Sequence, residues 1–292
     1  MPILSEAKGA QSLSVAPRIK AFLAGDSGSG KTTSACSIPG KKLLIDFDNR
    51  ADSLVGLADL DILPCHEADS KLPKAWERAL AIKTELHALA RKATPEAPFP
   101  YEAIIFDGLT SMGRIAMNWS LLLDPKKGLG GSPAQHHYGP QMNQLADYVL
   151  TALTLPCHII FTGHIELFEE QTDEGTRHIF LPKITGKLKT EVANWFNECY
   201  LCRRVSVERD GKRITEHHWY TSGRDKLRFF KSSLNQLGKF WTDPIIIDFD
   251  QQPTGFAKLL ELRFGKEGEK KEEKKEANQL TNLAAKTSKL AN

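Results

Sequence analysis

Gly25-Asp26-Ser27-Gly28-Ser29-Gly30-Lys31-Thr32, followed by Thr33, is the most informative stretch of the chain. It satisfies the pattern G-x-x-x-x-G-K-[ST] at every fixed position. Each residue type has a physical reason. Glycines let the backbone wrap tightly, so that its N–H groups point inward at phosphate oxygens. A helix starting near Lys31 adds its positive N-terminal end. Lys31 is placed to reach the β- and γ-phosphates, and the Thr32 hydroxyl to ligate magnesium. A chance match in a chain of average composition and this length has odds of roughly 1 in 100. The flanks agree with the motif. Arg18 to Ala24 reads as an apolar strand, and Thr32 to Ser37 as a short helix stopped by Pro39-Gly40.

Working outward, Lys42 to Phe47 reads as a second strand and Ile62 to Cys65 as a short third. From Pro73 to Lys92 the apolar positions Trp76, Ala79, Ile82, Leu86 and Leu89 recur at helical spacing, with Pro73 in the first turn. Ala103 to Phe106 is a continuous apolar strand, Ser111 to Leu123 a helix, and Asp124 to Pro133 a loop by its Gly and Pro content. Tyr138 to Leu153 is again helical, and His158 to Thr162 a buried strand. Continuous apolar strands alternating with helices predict a mainly parallel sheet covered on both faces. Residues 177–230 read as hairpin material with a turn at Glu208 to Lys212, which predicts an antiparallel edge. The expected organisation is a polar arm over residues 1–17, one α/β domain over 18–264, and a Lys/Glu-rich tail over 265–292. The tail reads as a solvated extension that offers a surface to a protein partner.

The chain has 292 residues, 41% apolar and 26% charged, with a net charge of +3. These values sit near the average for globular domains and exclude a collagen-like or wholly disordered chain. The charge balance neither requires nor excludes a nucleic-acid partner. No apolar run approaches the ~18 residues of a membrane span, and residues 1–20 lack the apolar centre of a secretory signal. Five sparse cysteines form no disulfide framework, so a reducing cytoplasm is the expected setting.

A second element of the site is expected on a strand beside the phosphate loop. Ala103-Ile-Ile-Phe-Asp107 supplies an apolar strand that ends in a carboxylate. Asp107 is placed to orient the hydration shell of the same magnesium that Thr32 would ligate.

These elements resemble the RecA-like P-loop ATPases. The phosphate loop, Leu44-Ile45-Asp46-Phe47-Asp48, Ile105-Phe106-Asp107 and Phe161-Thr162-Gly163-His164 follow in that order at similar intervals. The nearer likeness is to phage nucleotide-binding proteins that keep only the RecA-type core, some of which anneal single strands. Tyr138-Gly139 and Leu181 to Lys187, followed by an amphipathic helix, are further marks. The resemblance spans about residues 18–235. It implies a RecA-like core that binds ATP and magnesium and self-associates into a ring or filament around single-stranded DNA. ATP is chosen by the resemblance, since no guanine-reading N-K-x-D motif is present.

The resemblance also implies roles at particular positions. Asp48 falls where such proteins polarise the attacking water; they usually carry Glu there, and Asp46 is the fallback. His164 falls where a polar side chain senses the γ-phosphate. Arg224 and Lys226, with Arg228, fall in a late strand whose cations would complete a neighbouring subunit's site. Two loops would face DNA. One carries Lys126 and Lys127, and the other, from Ile165 to Lys189, carries Phe168, Lys183, Lys187 and Lys189. The acidic tip Glu169 to Glu174 opposes phosphate attraction in that second loop. Two other readings stay open: a P-loop ATPase acting on a protein partner as motor or loader, and a nucleotide-gated module with negligible turnover.

Two metal-like sets are set aside. Cys199 and Cys202 lie three apart on a strand and therefore face opposite sides, and His217 and His218 likewise point apart. His136-His137 reads as loop.

Overall fold

Alternation along the buried strands builds a core on each side of one sheet. In β1 (Lys20–Gly25), Phe22 and Ala24 point into one apolar layer and Ala21 and Leu23 into the other. β2 (Lys42–Asp46), β4 (Ala103–Asp107) and β5 (His158–Gly163) repeat the pattern, as strands buried on both faces must. The computed structural model describes residues 18–69, 72–124, 132–173, 175–221, 225–236, 244–250 and 253–264.

The main sheet has eight strands in the order β10-β9-β8-β1-β5-β4-β2-β3. β3 is Leu60–Pro64, β8 Glu198–Arg209, β9 Lys212–Tyr220 and β10 Ile245–Ile247. From β3 to β8 every pairing is parallel, and β8-β9-β10 form the antiparallel edge. The fold is α/β with helices on both faces. On one face lie α2 (Ala75–Lys92), α3 (Leu109–Leu122), α4 (Gln135–Ala152) and α5 (Leu188–Trp195). On the other lie α1 (Lys31–Ala35) and α7 (Gly255–Phe264), tied by the Phe256 N–H donating to Ser37 Oγ at 2.9 Å. A single turn, α6 (Ser233–Gln236), precedes β10. Phe106 stacks on Phe161 at 4.4 Å and Phe22 on Phe196 at 5.6 Å, so aromatic rings knit β4, β5 and β1 to the α5 side.

A two-stranded hairpin, β6 (Ile165–Thr172) and β7 (Gly175–Pro182), stands apart from the main sheet. β6 occupies a segment expected to be a loop, while most of β7 lies in the stretch 177–230 expected to be hairpin material. The apolar residues of β6 do not alternate cleanly, since neighbouring Leu167 and Phe168 are both exposed, so a hydrophobic pattern does not announce it and cross-strand pairing carries it instead. Among the described residues, no helix is long and apolar enough to cross a membrane.

Several local expectations change. The strand expected at Ser222 to Arg228 is not formed where it is described: Asp225–Leu227 is a single 3-10 turn. Pro73 precedes α2 instead of entering it. The helix starts where the Glu67 carboxylate accepts the Lys74 and Ala75 N–H groups at 2.8 and 3.3 Å. The buried face of α2 ends at Leu86, and Leu89 is exposed. His136 and His137 belong to the first turn of α4, not to a loop. The arm 1–17, the tail 265–292, Lys126, Lys127 and Arg224 lie outside the described residues.

Candidate functional site

The phosphate loop forms where β1 ends and α1 begins, at the C-terminal edge of the parallel sheet. Gly30 sits at φ +80°, in the left-handed region, and a Cβ there would lie 2.7 Å from His217 Nδ1. A side chain at that position would be strained and would collide, so the loop needs glycine. Lys31 is buried, and its ammonium donates to Gly25 O at 3.0 Å, Asp26 O at 2.7 Å and Ser29 Oγ at 3.4 Å. Burial lowers its pKa, while Cys202, Asp107, Asp48 and Asp26 pull it back up. A cation held under a turn of inward-facing backbone awaits an anion.

Asp107 ends β4 beside this loop. The strand is not the direct neighbour of β1, contrary to expectation: β5 lies between them. The intervening strand supplies a further residue of the site. Thr162 on β5 donates to Asp107 Oδ1 at 2.5 Å and accepts the Gly108 N–H at 2.9 Å. Thr32 donates to both Asp107 oxygens at 3.0 Å. Burial pushes the Asp107 carboxyl up to about 6; the Thr162 and Thr32 hydroxyls oppose that rise, and the nearby Asp48 and Asp46 charges add to it. A dry carboxylate at hydrogen-bond distance from a hydroxyl, next to a buried ammonium, is the donor set that suits a hard divalent cation bound to phosphates. Thr32 and Asp107 would hold magnesium, which when bound would offset phosphate charge.

The acidic pair after β2 divides its labour. Asp46 is buried, and its carboxylate accepts the N–H groups of Asp48, Arg50 and Ala51 at 3.0 to 3.2 Å. It is the staple of the turn, which removes it as the fallback water-activating group. Asp48 instead borders the cavity, a space of about 440 Å³ that also meets Lys31, Asp107 and His164. Its placement depends on Gly108, at φ +108°, where a Cβ would come within 2.3 Å of Asp48 Oδ1.

His164 lines the same cavity, directly after β5. Its N–H donates to Thr110 Oγ1 at 3.1 Å. Burial lowers its pKa, as does the Lys31 charge, with Asp48 opposing. The ring is therefore held toward its neutral form, a hydrogen-bonding group and not a fixed cation.

Four residues of the cavity wall escaped the sequence reading: Arg50, Ser53, His217 and Phe249. His217, on β9, places Nδ1 3.2 Å from Ser29 O and packs its ring against Phe249 at 5.3 Å. No local signal marks His217, because the antiparallel edge brings it to the loop from 188 residues beyond Ser29, and Phe249 follows it from just after β10.

The residues expected to contact DNA are scattered. Phe168 is exposed on β6, and Lys183 is exposed after β7. Lys187 pairs with Glu191 at 3.6 Å, and Lys189 pairs with Glu166. On the acidic face of the hairpin, Glu170 holds Arg228 through two hydrogen bonds of 3.0 and 3.1 Å, and Glu169 faces His178 at 3.6 Å. Arg228 is thus engaged within its own chain, while Lys226 is exposed beside it. Cys199, Cys202, His217 and His218 do not converge on a metal position among the described residues.

A phosphate loop closing β1, a hydroxyl and a carboxylate set for magnesium, and a parallel sheet covered on both faces define a P-loop nucleotide-binding ATPase domain. The family described as an AAA domain matches residues 18–227, and the chain belongs to it. No curated protein matches the chain.

Proposed function

We propose that the chain binds and hydrolyses magnesium-ATP and couples it to single-stranded DNA in recombination or annealing, as subunits of a ring or filament. The observation that carries this reading is the continuity between cavity and hairpin. His164 borders the phosphate cavity, and β6 begins at the next residue. The returning end of the hairpin is tied to the same point, since the Lys183 N–H donates to His164 O at 2.8 Å. A change of contacts at the γ-phosphate therefore reaches both ends of the exposed hairpin without an intermediary. Within the acidic tip, the pairing of Glu170 with Arg228 offsets one of the charges that the sequence implied.

In this reading Lys31 and the loop hold the phosphates, Thr32 and Asp107 the metal, Asp48 orients water, and His164 responds to the terminal phosphate. Lys226 is the cation best placed to reach another subunit. Phe168 offers a base-stacking face and Lys183 a phosphate contact.

The test is steady-state ATP hydrolysis with and without single-stranded DNA, together with nucleotide affinity. Stimulation by DNA, lost nucleotide affinity in Lys31→Ala, and retained affinity with lost turnover in Asp48→Asn are expected. DNA affinity should fall steeply with salt. Turnover indifferent to DNA would point to a protein partner, and tight binding without turnover to a nucleotide-gated module. Either outcome overturns the DNA-coupled reading.

A further inference from the structure

The C-terminal end of α3 and the first turn of α4 meet across residues 125–131, and three ligand-type side chains converge there. Asp124 Oδ2 lies 3.1 Å from His136 Nε2 and 3.6 Å from His137 Nε2. One ligand atom from each residue lies within 4.8 Å of the other two. Ligands at zinc bonding distances sit about 3.3 Å apart at the corners of a tetrahedron. Two of the three separations already bracket that value.

His137 supplies an independent observation. Its side chain is 1% exposed, and Nε2 is buried without a hydrogen-bond partner among the described residues. The Asp124 oxygen at 3.6 Å is beyond hydrogen-bond reach. The other ring nitrogen is already engaged: Nδ1 accepts the Ala134 N–H at 2.9 Å and lies 3.2 Å from Ala134 O. A cation on Nε2 moves the proton to Nδ1, which then gives up the Ala134 N–H and donates to the Ala134 carbonyl instead. Such an outer bond is the usual companion of a metal-bound imidazole. Ser120 Oγ donates to His137 O at 2.7 Å and fixes the turn against α3. His136 is 64% exposed, which leaves a route for an ion from solvent.

We propose that Asp124, His136 and His137 bind one zinc ion and clip the end of α3 to the start of α4. Two imidazoles and a carboxylate suit zinc; an all-oxygen cation such as magnesium or calcium would find too few oxygen ligands here. The fourth position is left to water. The site is separate from the phosphate cavity, so it stands whether or not the chain hydrolyses ATP or binds DNA.

The experiment uses the full chain without nucleotide. Cobalt(II) is titrated first, then zinc as competitor, and zinc content is measured after dialysis. One equivalent of four-coordinate cobalt with visible absorption, displaced by zinc, is expected. X-ray absorption at the zinc edge should show nitrogen and oxygen neighbours only. His137→Ala removes a packed ring, so the variants to use are His136→Ala and Asp124→Asn, at positions the solvent reaches. Each should weaken zinc binding by at least about tenfold, while Asp107→Asn, in the phosphate cavity, should leave it unchanged. Absence of uptake, sulfur scattering at the zinc edge, or uptake indifferent to both variants overturns the proposal.

Discussion

Thr162→Val tests the reading of the metal side of the site. The substitution keeps the shape of the side chain and removes one hydroxyl, which donates to Asp107 at 2.5 Å and accepts the Gly108 N–H. A hydrogen bond to an ionised group is worth about 1.5–3 kcal/mol, which equals about 1–2 pKa units at 1.36 kcal/mol per unit. Asp107 starts at about 6, raised chiefly by burial and restrained chiefly by Thr162. Its pKa in the variant should therefore lie near ~7–8. At pH 7 the wild-type carboxyl is about nine-tenths ionised, and the variant's between about one-tenth and one-half. A hard cation needs the carboxylate, so the gain in nucleotide affinity that magnesium confers should drop about two- to ninefold at pH 7 and recover at higher pH. Calorimetry of nucleotide binding with and without magnesium, from pH 5.5 to 8.5, measures that gain directly. Its midpoint should move up in Thr162→Val and stay in place in Thr162→Ser. A midpoint that stays or falls in the valine variant, or rises equally in the serine variant, would refute the role given to this hydroxyl.

Phe249→Ala should weaken nucleotide binding by the ~1–3 kcal/mol typical of a lost base–aromatic contact, if the ring stacks on the base; unchanged affinity by calorimetry would exclude that contact. Glu198 is fully buried and binds Tyr200 Oη at 2.6 Å, Ser233 and Arg263. Glu198→Ala should cost about 3–5 kcal/mol in urea unfolding, because it breaks a buried ion pair and leaves a cavity in its place. His158 Nδ1 accepts the Ile19 N–H at 2.9 Å, and burial, aided by Arg18 and Arg263, lowers its pKa from 6.5 to about 4. The folded state thus binds fewer protons, so this contribution is present above pH 6.5 and is lost as pH falls toward 4, by about 3 kcal/mol. Asp107 has the opposite sign: its folded pKa of about 6 exceeds 3.8, so in metal-free protein acidification through that window favours the fold by a similar amount. In His158→Asn only the Asp107 effect remains, so the stability difference from wild type should shrink as pH falls from 7 to 4; a constant difference would show that His158 does not titrate as described.

The parts legible in the sequence are those in which neighbouring residues do the work. The phosphate loop, the buried strands and α2 declare themselves through glycine spacing, apolar runs and helical periodicity. What was missed is non-local. The first strand of the hairpin, Ile165–Thr172, alternates too few apolar residues to read as a strand, and pairing between Glu169 and His178 or Gln171 and Thr176 holds it. Asp46 and Asp48 look alike in sequence, yet the turn that Asp46 staples leaves Asp48 facing the cavity. His217 and Phe249 reach the loop only because β8 pairs parallel with β1 and then turns the chain back across it.

The same topology explains how one carboxylate can govern distant surfaces. Asp107 lies between two chain segments that leave the site in different directions. On one side Gly108 and Thr110 open α3, whose 14 residues span about 21 Å and end at Leu122, two residues before Asp124. On the other, Thr162 and His164 lead straight into β6. Two hydrogen bonds cross between the segments, Gly108 N–H to Thr162 and His164 N–H to Thr110. Moving either segment alone would strand a buried donor, which costs about 1–3 kcal/mol. The two therefore respond together to whatever loads Asp107. If zinc fixes the far end of α3, that end becomes an anchor, and displacement at the phosphate cavity is taken up preferentially by the hairpin. Stripping zinc with a chelator should then leave nucleotide affinity in place and change how strongly nucleotide alters the hairpin, read by amide exchange at residues 165–182. Exchange in the hairpin that responds to nucleotide equally with and without zinc would separate the two ends of α3 and remove the anchoring role.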